Sequence, residues 1–198
     1  MKRLVLALSA GLSLLAAPAS ADVWDSPEPS CNQLWFTRNL IMHRAGYCFA
    51  SPLGQALFGN AGCRGTEVKL SARESRQVAK MQAMERELGC KVNTRARQLD
   101  VPADTRALRQ LRDLPLSDGG VSGCRWAANP VPLLDGYTPG SRQIGEIRAG
   151  DTLVFSDQPE GNWTAVTIRK GGYDGPVAMG WFDHSRHDVE KGCTDWAG

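Results

Sequence analysis

The sequence predicts an α+β protein: a small disulfide-stapled helical N-terminal domain followed by a small five-stranded antiparallel β-barrel. Three observations lead there. Six cysteines follow an export signal. Apolar residues recur at helical spacing up to Gly89, and from Gly123 onward the period changes to two.

The chain opens with Lys2 and Arg3, an apolar run from Leu4 to Ala17, and the small-residue triplet Ala19, Ser20, Ala21. That pattern is a secretory signal peptide over residues 1–21, too short in its apolar core to span a bilayer. Asp22, Val23 and Trp24 follow, so no cysteine is placed for a lipid anchor. The expected location is the periplasm or the medium, with no membrane span. Cleavage removes Lys2 and Arg3 and leaves 21 cations against 21 anions, which argues against nucleic acid as a partner. Residues 31–124 hold 14 cations and 8 anions, and residues 125–198 hold 7 and 10, which suggests two domains.

The six cysteines, at 31, 48, 63, 90, 124 and 193, are even in number and contain no C-x-x-C pair. In an exported chain they read as three disulfides, without a redox motif or zinc ribbon. This bears on "RNLIMHRAGYCF", Arg38 to Phe49, where His43 and Cys48 invite a catalytic reading. A disulfide at Cys48 removes the nucleophile.

Residues 22–30 read as an extended lead-in. A first helix runs from Cys31 to Ala45, with Leu34, Trp35, Leu40, Ile41 and Met42 at near-helical spacing and Gly46 to stop it. Ser51 and Pro52 open a short helix through Phe58. The next helix has Ser71 and Glu74 as a capping box, an apolar stripe of Val78, Met81, Met84 and Leu88, and Gly89 at its end. A short helix follows the candidate cap Asp104, completing a helical domain over 31–113. Residues 114–122, "LPLSDGGVS", read as a linker. In 123–198, "VPLLDGY", "QIGEIRAG", "DTLVFSDQ", "NWTAVTIR" and "VAMGWF" give five strands.

Arg38, Asn39 and Ile41, then Arg44 and Gly46, then Phe49 and Phe58 resemble the YARHG domain, an extracellular bacterial module, over about residues 31–90. The signature Tyr is replaced by Met42 and the signature His by Ala45, while His43 stands where the family has Ala. Chemistry dependent on that imidazole is absent. Asn39 and Arg44 are expected to fix the helix end and turn through backbone carbonyls. "IGEIRAGDTLVFSD", "GNWTAVTI" and "GWF" resemble a bacterial Src-homology-3-like domain over about 124–193. The combination, with these cysteine positions, resembles an exported alphaproteobacterial family that pairs both parts.

The Src-homology-3-like resemblance implies a groove lined by Tyr137, Trp163, Tyr173 and Trp181, suited to peptide or glycan ligands. The Gly-rich hairpin loop Arg169 to Pro176 would carry specificity, with Tyr137 and Tyr173 in contact and at least one Trp in the core. No G-x-S-x-G, H-E-x-x-H or free cysteine supports hydrolysis. His184 and His187, with Asp183 and Asp188, have H-x-x-H spacing, but no third strong ligand stands nearby, so neither a metal nor another cofactor is expected. The function expected is a non-enzymatic envelope module binding cell-wall peptide or glycan, or an envelope protein. The alternatives are a structural or interaction protein without wall affinity, and a hydrolase of unrecognised type.

Cys31 and Cys48 flank a helix roughly 20 Å long and cannot bond each other. If the helix over 71–88 packs antiparallel on the first, Cys90 returns to Cys31, leaving Cys48 for Cys63. In a Src-homology-3-like barrel the chain ends meet, which implies Cys124–Cys193.

Overall fold

A computed structural model describes residues 27–198, so the signal peptide expected at 1–21 lies outside the described residues. Helix α1 (Pro27–Arg44) begins earlier than the sequence suggests, inside the stretch expected to be extended. Pro27 and Pro29 sit in its first turn, where a missing N–H breaks no helical bond. At the other end Gly46, at φ 92°, closes a Schellman motif. Its N–H donates to the His43 carbonyl at 2.9 Å, and that of Tyr47 to Met42 at 3.0 Å.

Helix α2 (Pro52–Phe58) is capped by Ser51, whose hydroxyl accepts from Gly54 N–H. Helix α3 (Ala72–Glu87) carries the Ser71–Glu74 capping box and ends on Gly89 at φ 63°. Again the glycine N–H reaches back, to Arg86, and that of Cys90 to Glu85. Helix α4 (Ala103–Ala107) runs into a 3-10 turn, Leu108–Gln110. Asp104 lies inside α4 rather than at its cap, which is Pro102.

Helices α1 and α3 are antiparallel. Cys31–Cys90 joins the start of one to the end of the other, with Cα atoms 5.4 Å apart. Cys48–Cys63 brackets α2, and Cys124–Cys193 ties the sheet's first and last strands. The first two pairs are those that the helix-packing argument expects, and the third is the one expected from the barrel resemblance, although the strands form an open sheet instead. Cys48 is therefore no nucleophile.

The second half is one open sheet of seven antiparallel strands, not a five-stranded barrel. The strands are β1 (Ser117–Trp126), β2 (Val131–Leu134), β3 (Gln143–Ile147), β4 (Thr152–Asp157), β5 (Trp163–Arg169), β6 (Val177–Asp183) and β7 (Cys193–Ala197). A short helix, α5 (Val189–Gly192), precedes β7. The spatial order is β3-β2-β6-β5-β4-β1-β7.

Strand β1 begins within residues 114–122, the segment expected as a linker. Its glycines hid it. At Gly123 a Cβ would stand 2.7 Å from the Leu153 carbonyl oxygen, so the approach of β1 to β4 requires a residue that reads as a strand breaker. Nor is the preceding stretch free. Leu114 is buried, and Gln77 on α3 donates its Nε2 to the Leu114 and Pro115 carbonyls at 3.0 and 3.3 Å.

Alternation in the two central strands gives the sheet two apolar faces. Ala165, Met179 and Trp181 share one core with Phe36, Leu40 and Ile41 of α1, Met81 of α3, and Leu108, Leu111 and Leu114. Val166, Ile168 and Phe182 face the other way, into a core with Trp126, Val131, Leu133, Ile147 and Leu153. Residues from near both edges of the sheet meet in this second core, so the sheet is curled. Helices and sheet thus share a core across the supposed domain boundary. Limited chymotrypsin digestion is accordingly expected to cut first after Tyr173, in the exposed β5–β6 hairpin, and to spare residues 114–122. First cuts within 114–122 would contradict the shared core.

Candidate functional site

The four aromatics expected in one groove are separated. Trp181 is fully buried, its Nε1 donating to the Asp113 carbonyl at 2.7 Å. Tyr137 meets it edge-on at 4.8 Å, with the Arg73 guanidinium 4.9 Å from the Tyr137 ring centre. Burial raises the Tyr137 pKa, Arg73 opposes that rise, and Glu160 and Asp113 add to it. Trp163 packs partly buried against the same core. Tyr173, 67 % exposed, lies at the opposite end of β5, in the hairpin pinned by Asp151. The Asp151 carboxylate accepts from Gly171 N–H at 2.9 Å and from Lys170 Nζ at 3.0 Å. Three of the four residues therefore cement the halves, and the fourth stands apart from them.

The residues of the first helix are structural too. Arg38 forks onto Glu85 through Nε, at 3.1 and 3.2 Å to the two carboxylate oxygens, and joins α1 to α3. Asn39 Nδ2 donates to the Trp35 carbonyl at 2.7 Å, within α1 itself. Arg44 does not hold its own helix end. It reaches the carbonyls of Leu108, Arg109 and Arg112 at 3.3–3.4 Å and fastens α1 to the turn after α4. A planar fork with several donors can serve carbonyls that diverge in this way. Asn39 and Gly46 act locally, Asn39 within α1 and Gly46 as its stop.

A different site is assembled where β4, β7 and the polar turn after β6 converge. A groove of about 610 Å³ is lined there by Phe155, Thr164, His184, Arg186 and Trp196, among others. Phe155 and Trp196 stack, with ring centres 6.2 Å apart and planes 25° apart, and Trp196 is 51 % exposed.

The position of Trp196 depends on a bulge. Between β1 and β7, Gly123 pairs with Ala197 and Arg125 with Thr194, so β7 carries one extra residue. Asp195 sits in that interval at φ 51°, and such a bulge re-aims the neighbouring side chain. Sequence reasoning passed over Trp196 because "CTDWAG" is short, polar and terminal. The available signal was an aromatic close behind a disulfide cysteine.

On the groove's rim, His184 Nδ1 lies 2.9 Å from Thr164 Oγ1. Asp183 accepts from the Ser185 hydroxyl and backbone N–H and pairs with Arg186 at 3.3 Å. The Ser185 hydroxyl is the main cause holding the Asp183 pKa below its ordinary value. Asp188 caps α5 and pairs with Lys191 at 2.7 Å, and the Lys191 side chain lowers its pKa. Both carboxylates flanking the H-x-x-H pair are thus engaged within the turn. Among the described residues, no three His, Cys, Asp or Glu side chains converge as a metal site.

Residues 89–198 match the family model of a domain of unknown function, DUF4453, and residues 15–86 match that of the YARHG domain. No curated protein matches the chain, and no solved structure matches it. The two matches meet beside Gly89, at the end of α3. The segment with α4 therefore falls with the sheet rather than with the first three helices, and Cys31–Cys90 crosses from one match to the other.

Proposed function

From the premise that the chain belongs to the DUF4453 family, with a YARHG domain ahead of it, we propose a non-enzymatic binding module of the cell envelope. Its ligand is a cell-wall peptide or glycan, taken up along Phe155 and Trp196. Three disulfides suit an oxidising compartment outside the cytoplasm, as does the export signal expected from residues 1–21. Among the described residues no helix is long and apolar enough to cross a membrane.

The observation that carries this reading is the half-exposed Trp196 stacked on Phe155 beside Arg186. An aromatic face of this kind covers the apolar side of a sugar or peptide, and a neighbouring guanidinium suits a carboxylate. Binding rather than proton transfer also fits the rim. Asp183 and Asp188 are held ionised by their partners, which makes them poor proton donors.

Retention of the mature chain on purified peptidoglycan at moderate salt tests the proposal. Trp196→Ala is expected to weaken retention about tenfold, the loss of one aromatic contact, and Tyr173→Ala to leave it unchanged. Absence of retention by the unaltered chain would instead support a structural role without wall affinity.

A further inference from the structure

At one end of the helical half His43, Arg44 and Arg109 gather with no ion pair to any of them among the described residues. His43 and Arg44 end α1, and Arg109 lies in the turn after α4, more than 60 residues along the chain. Arg44 Nη2 donates to the backbone carbonyl of Arg109, at 3.3 Å, which holds the Arg44 guanidinium against the residue that carries the second one. The Arg109 guanidinium lies over Phe36 and Phe58, at 4.8 and 5.0 Å from their ring centres, and one of its nitrogens donates to the Leu57 carbonyl at 2.9 Å. His43 lies tilted against the same Phe58 ring, with ring centres 5.6 Å apart. Both arginines are exposed residues.

Among the described residues no ion pair involves Arg44 or Arg109. Glu74 and Asp113 act favourably on Arg44 from a distance, but each is hydrogen-bonded to its own neighbours and neither reaches the guanidinium. Glu74 accepts from Ser71 N–H, and Asp113 from Tyr137, Thr138 and the Thr138 hydroxyl. Like charges are thus held together by backbone carbonyls and an aromatic floor. Such an arrangement opposes itself until an anion arrives, and it needs no reorganisation to receive one.

We propose that His43, Arg44 and Arg109 form an oxyanion site that takes a phosphate or carboxylate group at the exposed edge of the two guanidinium groups. The site is independent of the Phe155–Trp196 groove. Burial first, then Arg109 and Arg44, lower the His43 pKa, and these two arginines are the charged groups that act on it. A bound anion offsets their repulsion. The His43 imidazole is therefore the reporter.

The experiment titrates the His43 ring by NMR in the full mature chain, with sulfate as the tetrahedral stand-in for phosphate, with acetate, and with chloride at matched ionic strength. Sulfate or acetate is expected to raise the His43 pKa saturably, and chloride is not. Response to both probes assigns a general oxyanion site, and response to one assigns its chemistry. Arg109→Gln is expected to raise the His43 pKa without any anion and to weaken sulfate or acetate binding about tenfold. Because Arg109 also covers Phe36 and Phe58, Arg44→Gln provides a second variant with the same expected loss. Trp196→Ala is expected to leave the titration untouched, which separates this site from the groove. If chloride reproduces the effect of both probes, or if both arginine variants bind them as the parent does, the site does not exist.

Discussion

Trp181→Ala is expected to cost about 3–5 kcal/mol and to lower the stability of helices and sheet together. The side chain is fully buried, fills the core shared by α1, α3 and β6, and holds the Asp113 carbonyl through Nε1. Removal leaves a cavity, frees Tyr137 from its edge contact and takes the donor from a part-buried carbonyl, each of which is destabilising. Domains commonly have about 5–15 kcal/mol in total, so the variant would be near its limit. Hydrogen exchange makes the distinguishing measurement. Amides of α1 and of β5 and β6 should lose protection by similar amounts. Protection lost from the strands alone would mean that the halves fold separately and that their contact is superficial.

The second large effect belongs to Cys124–Cys193. This bond spans 69 residues and holds β7 to β1. By loop-closure entropy, its removal by Cys124→Ala with Cys193→Ala should cost about 4 kcal/mol. Packing adds to the entropy argument. Gly192, next to the bond, is so close to Trp126 that a Cβ there would stand 2.3 Å from the indole, so α5 and β7 have little room to resettle. Urea denaturation of the double variant measures the loss as a fall in midpoint, with a steeper slope because the unfolded chain without the bond exposes more surface. Because β7 carries Trp196, the same variant should also lose retention on peptidoglycan. A midpoint shifted by less than that of an ordinary surface substitution would show that the sheet holds β7 without the bond.

What the sequence by itself determined is what depends on neighbours along the chain. Gly46 and Gly89 mark the ends of α1 and α3 because a left-handed residue after a helix favours glycine, and Ser71 with Glu74 marks a start because both members of a capping box lie within one turn. Five strands stood out by their alternation and their turn residues, and the pairings Cys31–Cys90 and Cys48–Cys63 followed from an antiparallel pair of helices. Tertiary structure alone decided the rest. The start of strand β1, up to Ser122, reads as a linker until the strand pairs with β4, which approaches too closely for any residue but glycine at Gly123, and β7 is a polar tail until β1 pairs with it. Alternation in β5 and β6 puts Trp181 on one face and Phe182 on the other, yet both faces are apolar, so the pattern does not say which one the helices cover. That docking buries Trp181, while a bulge at Asp195 leaves Trp196 half exposed beside Phe155. An aromatic residue's role as core or contact depends on what packs over it, and here those partners lie tens of residues away in the chain.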